Sequence, residues 1–308
     1  MVRRNVDTLV RFYTEGVLTE KAFCNCLLDR ISDDNVDDPP AAVPHNGEEK
    51  MRIWIAAATI AMLLRAPLPA AELLVGWASA DITPDRPVAL SGQFYTRISE
   101  SVHDPLTATA LALDNGSDQA VMVSLDLLSV SQKLIEGVRQ RPKTILPELD
   151  ARNLLLNATH PHAAPDVDGA YETPAGVMTS AEYFDFLADS VTDAAVRAWR
   201  ARRPAGVSWA LGHAVIGYNR RASFADGRSV MYGPLARPDF LGFEGYEDHA
   251  LEMLFFWTPE RKLAGIAINV ACPAQALGRE HFVSADFWHD ARVELRQRYG
   301  DDLFVFPV

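Results

Sequence analysis

Apolar runs of strand length alternate with helical patterns along most of this chain, and that alternation predicts an α/β fold, a mixed β-sheet flanked by helices. Leu106 to Leu113 and Ala120 to Leu128 flank Asp114-Asn115-Gly116-Ser117, a turn-forming quartet, so they read as a hairpin. Helical spacing follows at Gln132 to Arg141. Leu154-Leu155-Leu156 then opens a buried strand that runs to His160. Phe184, Leu187, Ala188, Val191, Ala195 and Trp199 recur at helical spacing within Ser180 to Arg203, with Ser180 as the expected N-cap. Further strands are predicted at Leu73 to Pro84, Ala205 to Ile216, Leu251 to Trp257 and Ala264 to Ala271. A helix at Ala285 to Tyr299 precedes a last strand from Leu303 to Phe306. A buried strand with no packing partner after it predicts an incomplete domain.

The stretch Asn157-Ala158-Thr159-His160-Pro161-His162 places two imidazoles two residues apart where that strand ends. Proline at 161 biases His160 toward extended backbone, where residues i and i+2 project to one side, so both rings are expected to face one site. Neutral imidazole is the commonest nitrogen ligand for metals, and a second histidine beside it can serve as acid, base or electrostatic clamp. The plain alternative is that the rings cap a loop or face solvent. No glycine-rich phosphate loop and no internal repeat is found in the chain.

With 308 residues, 48% of them hydrophobic and 23% charged, the chain can bury a sizeable core. Its net charge of -12 argues against nucleic-acid binding, which needs a basic footprint. Lys50-Met51-Arg52 precedes the apolar Ile53 to Leu64 and the exit Arg65-Ala66-Pro67-Leu68-Pro69-Ala70-Ala71. That run is shorter than the ~20 residues of a membrane span and reads as a signal peptide over 51–71, which makes the protein exported, periplasmic or secreted. Residues 1–50 then form an upstream extension, mis-called or fused, and 72–308 the working domain. Cys24 and Cys26 precede the cleavage point, so the mature chain keeps Cys272 as a lone thiol.

Several segments together resemble the neutral ceramidase family, zinc-dependent amidases that cleave the N-acyl bond of ceramide. They are Gly76 to Pro84, Ala120 to Asp126, Thr159-His160-Pro161-His162-Ala163-Ala164-Pro165, Tyr218-Asn219-Arg220-Arg221, Gly265 to Pro273 and Val283 to Asp286. The resemblance implies a partial catalytic domain in which His160 is a zinc ligand and His162 helps bind or polarise the reacting group. Arg220 would hold the amide or the developing oxyanion. Cys272 stands where the family has a second histidine ligand, and a thiolate can fill that role. The family's later Glu and Tyr ligands, its serine-bearing segment and its immunoglobulin-like domain would lie beyond Val308. His103 and His281 are reserve candidates; Asp126 and Asp286 could orient a histidine.

The resemblance therefore implies zinc as cofactor, a lipid-like amide as substrate and transient contact with a membrane surface, with oligomeric state open. Two alternatives stand beside it. One is an exported scaffold or fragment of the same fold without activity, the other a cysteine hydrolase pairing Cys272 with His160 or His162.

Overall fold

The computed structural model describes residues 72–141 and 146–308; the extension expected at 1–50 and the signal peptide expected at 51–71 lie outside them. The described chain forms four layers, helix, sheet, sheet and helix. The first sheet contains β1 (Leu74–Asp81), β3 (Thr107–Asp114), β4 (Gln119–Leu125), β5 (Leu154–Ala158) and β6 (Arg203–Pro204), in the order β5-β4-β3-β1-β6. The second contains β7 (Gly206–His213), β11 (Ala250–Trp257), β12 (Leu263–Val270) and β14 (Phe304–Pro307), in the order β14-β12-β11-β7. Both are mixed: β4 pairs parallel with β5 and β12 parallel with β14, while the remaining pairs are antiparallel.

Alternation along each strand decides which layer it meets. In β3, Ala108, Ala110 and Ala112 face one way into the core under the helical layer, and Leu111 faces the other, toward the second sheet. The helical layer is α2 (Ser180–Arg200), which packs on β1, β3 and β4 and is itself braced by α1 (Gln132–Gln140). Small residues on the strand side meet Ala188, Ala194, Ala195 and Ala198 of α2, so helix and sheet approach closely. Between the sheets, Val75, Leu111, Phe256, Ala267, Phe304 and Phe306 form a buried seam, with Trp77 stacked on Phe304 at 5.6 Å. The far face of the second sheet is covered by α3 (Phe287–Tyr299) through Phe287, Trp288, Ala291 and Leu295. Each such large side chain taken from water contributes about 1.5–3 kcal/mol.

Several sequence expectations shift by a residue or two. The hairpin forms as expected, with β3 and β4 antiparallel about residues 115–118. The N-cap of α2 is Thr179 rather than Ser180, because Thr179 and Glu182 close a reciprocal capping box; the Ser180 hydroxyl instead donates to Asp166. Strand β5 stops at Ala158, short of His160, and as an edge strand it leaves Leu155 exposed.

A small antiparallel sheet was not legible in the sequence. It consists of β8 (Arg221–Phe224), β9 (Ser229–Met231) and β10 (Phe240–Phe243), in the order β10-β8-β9. Its strands are three or four residues long, too short for a two-residue period to register. Parallel β2 (Ser101–Val102) and β13 (Phe282–Val283) tie the segment before β3 to the segment before α3. No helix among the described residues is long and apolar enough to cross a membrane.

Candidate functional site

Strand β5 delivers Thr159 to the end of β4, where the Thr159 N–H donates to the Leu125 carbonyl and its hydroxyl to Asp126. The His160 N–H then donates to the Leu127 carbonyl and the chain turns. His160 has φ 70°, so the extended backbone expected before Pro161 is not what brings the rings together. A left-handed residue that is not glycine costs of order 1–3 kcal/mol, and such strain persists where the surroundings enforce it. Here the turn swings the two rings toward each other, with Nε2 of His160 3.4 Å from Nε2 of His162. His160 is exposed and His162 buried.

The His162 ring lies against the backbone of Gly92, where φ is 97° and an added Cβ would stand 2.5 Å from the His162 Cγ. Behind the ring, the buried guanidinium of Arg97 donates to the carbonyls of His162, Ser91 and Glu280. Three loops are thereby fixed to one cation. Burial, followed by the charges of His160, Arg97 and Arg220, pushes the His162 pKa down from 6.5 to about 4. The ring is neutral at pH 7, the form that can ligate a metal or accept a proton.

A linkage consequence follows from that depressed value. Between about 4 and 6.5 the unfolded chain takes up a proton at this histidine that the folded chain refuses, so stability is present above 6.5 and falls as pH drops toward 4. Urea midpoints at pH 7, 6 and 5 are expected to fall less for His162→Gln than for the parent chain. Equal slopes would mean that the buried ring is not the group responsible.

Arg220, just before β8, sends Nη1 to the Tyr232 hydroxyl at 2.5 Å and to Gln275 Oε1 at 2.7 Å. Gln275 Nε2 in turn lies 2.9 Å from His162 Nε2 and 3.1 Å from His162 Nδ1. The expected catalytic pair, His162 and Arg220, is thus brought together through an intervening amide. Cys272 comes from the same loop after β12 but lines a neighbouring cavity of about 360 Å³ with Arg220, Gln275, Tyr218, Tyr246 and Glu247. Burial and then Asp286 push its thiol pKa up against an opposing pull from Arg220, so the thiol keeps its proton.

Asp126 contacts neither histidine. Buried, it accepts from Thr107, Thr159 and both terminal nitrogens of Arg292, anchoring the residue before His160 to α3. Asp286 caps α3 and accepts from the Leu277 N–H, stitching the loop that carries Gln275. His103 and His281 are exposed, His103 beside Phe282 and His281 beside the Ile98 carbonyl. Gln275, Gly92, Arg97 and Tyr232 are the site residues that sequence reasoning missed. Gln275 alone carried a signal, its place three residues beyond Cys272 in the loop closing β12.

Zinc–imidazole bonds of about 2.0–2.1 Å at tetrahedral angles place two ligand nitrogens roughly 3.3–3.4 Å apart. The separation of the His160 and His162 Nε2 atoms, 3.4 Å, fits two corners of such a site. A catalytic zinc takes three protein ligands, and no group of three His, Cys, Asp or Glu residues that could hold a metal forms among the described residues.

No protein-family model matches the chain. Over 167 residues it is 28% identical to a neutral ceramidase of Oryza sativa subsp. japonica, a match covering 51% of this chain and 21% of that protein. The crystal structure of neutral ceramidase from Pseudomonas aeruginosa superposes with a TM-score of 0.58 at 18% identity, over 77% of this chain and 38% of that one. The chain carries the neutral ceramidase fold. A ceramidase complexed with C2 gives a TM-score of 0.56 at 19% identity, over 77% of this chain and 37% of the other. The ceramidase-like chain thus spans about a fifth of the curated relative and under two-fifths of the solved structures.

Proposed function

We propose that this chain belongs to an exported amide hydrolase acting on ceramide or a related lipid-like N-acyl amide, with zinc at His160 beside the His162 ring. The observation that supports this most is the convergence of His160 and His162 on a 3.4 Å separation beside Arg220 and an open cavity, within a ceramidase fold. His160 is the imidazole that would hold zinc, and Cys272 is the nearby thiol whose proton would have to leave for it to join. Zinc, when bound, supplies Lewis-acid polarisation of the amide carbonyl and activation of water.

The chain's own residues account for the rest. In the reaction the water oxygen bonds to the amide carbon, the carbon–nitrogen bond breaks, and the amine leaves with a proton. Arg220 spends Nη1 on Tyr232 and Gln275, while its Nε and Nη2 have no hydrogen bond among the described residues and can donate to the oxygen as negative charge develops. The neutral His162 ring can accept the proton of water or pass it to the departing nitrogen. Export rests on the pattern over 51–71, and contact with a lipid surface on the nature of the substrate.

The test is release of fatty acid and sphingoid base from ceramide by the purified chain with added zinc, run beside metal analysis. One imidazole beside a protonated thiol predicts weak zinc binding, lost in His160→Ala, with hydrolysis tracking bound zinc. Intact hydrolysis in His160→Ala would refute the assignment. The second reading is a scaffold of the same fold without activity, favoured by the absence of a three-ligand group among the described residues. It predicts a folded, zinc-free protein that releases no acid.

A further inference from the structure

We propose that Glu247 is a specificity-determining residue that makes the cavity beside Cys272 the seat of the amine half of the substrate. That cavity, of about 360 Å³, is lined by Arg220 from the segment before β8 and by Glu247 from the segment before β11. The two segments are tied together: the Asn219 N–H donates to Glu247 Oε1 at 2.6 Å, and the neighbouring Arg221 and Glu244 form an ion pair. Arg220 and Glu247 form none. Among the described residues Arg220 pairs with no carboxylate, its Nη1 bonds going to Tyr232 and Gln275. Glu247 meets no lysine or arginine there; its ion-pair partner is His249, with Nε2 3.3 Å from Oε2. Opposite charges that line one cavity and stay apart leave a gap with a donor on one wall and an acceptor on the other.

A secondary amide fills such a gap by its own chemistry. In the trans form its carbonyl and its N–H point to opposite sides of the bond, so the oxygen can accept from Arg220 while the N–H donates to Glu247. Glu247 has the capacity: a carboxylate offers about four lone-pair sites, and Asn219 and His249 face two of them. It is also reachable, with its side chain 28% exposed. Hydrolysis adds the water oxygen to the acyl carbon and breaks the carbon–nitrogen bond. The nitrogen gains one proton from water and a second from the acid released, so the products at pH 7 are a carboxylate and an ammonium. Glu247 then faces a positive charge, a contact stronger than the one it made to the amide N–H. The cavity is at the small end for ligand pockets, so it takes the polar head and leaves the hydrocarbon chains outside. That the occupant is an amide and then its amine rests on the hydrolytic reading; the unpaired charges do not.

Titration of the metal-free chain at pH 7 with a short-chain 2-amino-1,3-diol, followed by backbone NMR, reads the site without any turnover. The comparison probe is the 1,3-diol of the same length that lacks the nitrogen. The parent chain is expected to bind the amine about tenfold more tightly than the diol, with shifts at Asn219 and Cys272. Tenfold is the low end for a hydrogen bond between charged groups, as suits a partly exposed carboxylate. Glu247→Gln keeps an acceptor for the Asn219 N–H and removes the charge, so the preference should vanish. Glu136→Gln removes the same charge from the exposed face of α1 and should keep the preference. That control separates a contact from the attraction of a net charge of -12 for any cation. Equal binding of the two probes to the parent chain, or an undiminished preference in a folded Glu247→Gln, overturns the proposal. If the chain hydrolyses ceramide, inhibition by the released amine should weaken about tenfold in Glu247→Gln. Amine preference without hydrolysis would keep the site and reject the proposed activity; hydrolysis with equal binding of the two probes would do the reverse.

Discussion

Arg292→Met is expected to lower the free energy of unfolding by about 3–5 kcal/mol, the range for removing one partner of a buried ion pair. Arg292 and Asp126 have side chains 5% and 0% exposed, and Arg292 donates from both terminal nitrogens at 2.8 and 2.9 Å. Methionine fills much of the space but leaves the Asp126 carboxylate charged in a site closed to bulk solvent, with hydrogen bonds from Thr107 and Thr159 as its remaining support. The cost is therefore the stranded charge rather than lost packing. Replacing both partners, as in Asp126→Leu with Arg292→Met, should recover part of the loss, because no charge is left buried. Urea unfolding of the single and double variants measures this. A loss below about 1 kcal/mol for the single variant would place the pair in a far wetter environment than its burial implies. Since Thr159 precedes His160, the single variant should also weaken whatever the histidine pair binds.

Gly92→Ala should abolish the site while sparing the fold. At φ 97° a side chain is strained at a cost of about 1–2 kcal/mol, and the new Cβ would sit 2.5, 2.6 and 2.8 Å from Cγ, Nδ1 and Cβ of His162. Those contacts cannot be relieved by backing the histidine away, because Arg97 holds its carbonyl at 2.6 Å. The ring must rotate out of its place beside His160. Misplacement of a reacting group by about 1 Å costs on the order of 100-fold in rate, so hydrolysis, if present, should fall by at least that factor and zinc binding should fall with it. Gly116→Ala is the matching control. It shares a left-handed backbone, φ 86°, but has nothing within 4 Å of the new Cβ, so it should show the strain cost and keep the site. Equal activity in the two variants would show that the Gly92 backbone does not define the position of His162.

The strands and helices were legible where the apolar period was long. The hairpin of β3 and β4, the helix α2 and the pair β11 and β12 each span seven or more residues, enough for a period of 2 or 3.6 to stand out. The sheet of β8, β9 and β10 was invisible because its strands are three or four residues long. Strand β5 was read as buried from Leu154-Leu155-Leu156, yet Leu155 is exposed, since a run of leucines does not reveal that it forms a sheet edge.

The candidate site divides in the same way. Residue type and spacing in His160-Pro161-His162 were sufficient to select the loop after β5, and a short sequence separation guaranteed that the two rings would be neighbours. The reason they converge, a left-handed turn at His160 held by the Leu127 carbonyl, was written nowhere in the local pattern. Gln275 lies 113 residues from His162 and 55 from Arg220, and Arg97 lies 65 residues before the histidine whose carbonyl it holds. Hydrogen bonds between residues so far apart leave no periodicity in a sequence, because direction and distance in space are set by how the layers pack. The chain's order of residues thus determined the layers and named the histidines; the packing of the loops after β5 and β12 decided which side chain would stand between them and Arg220.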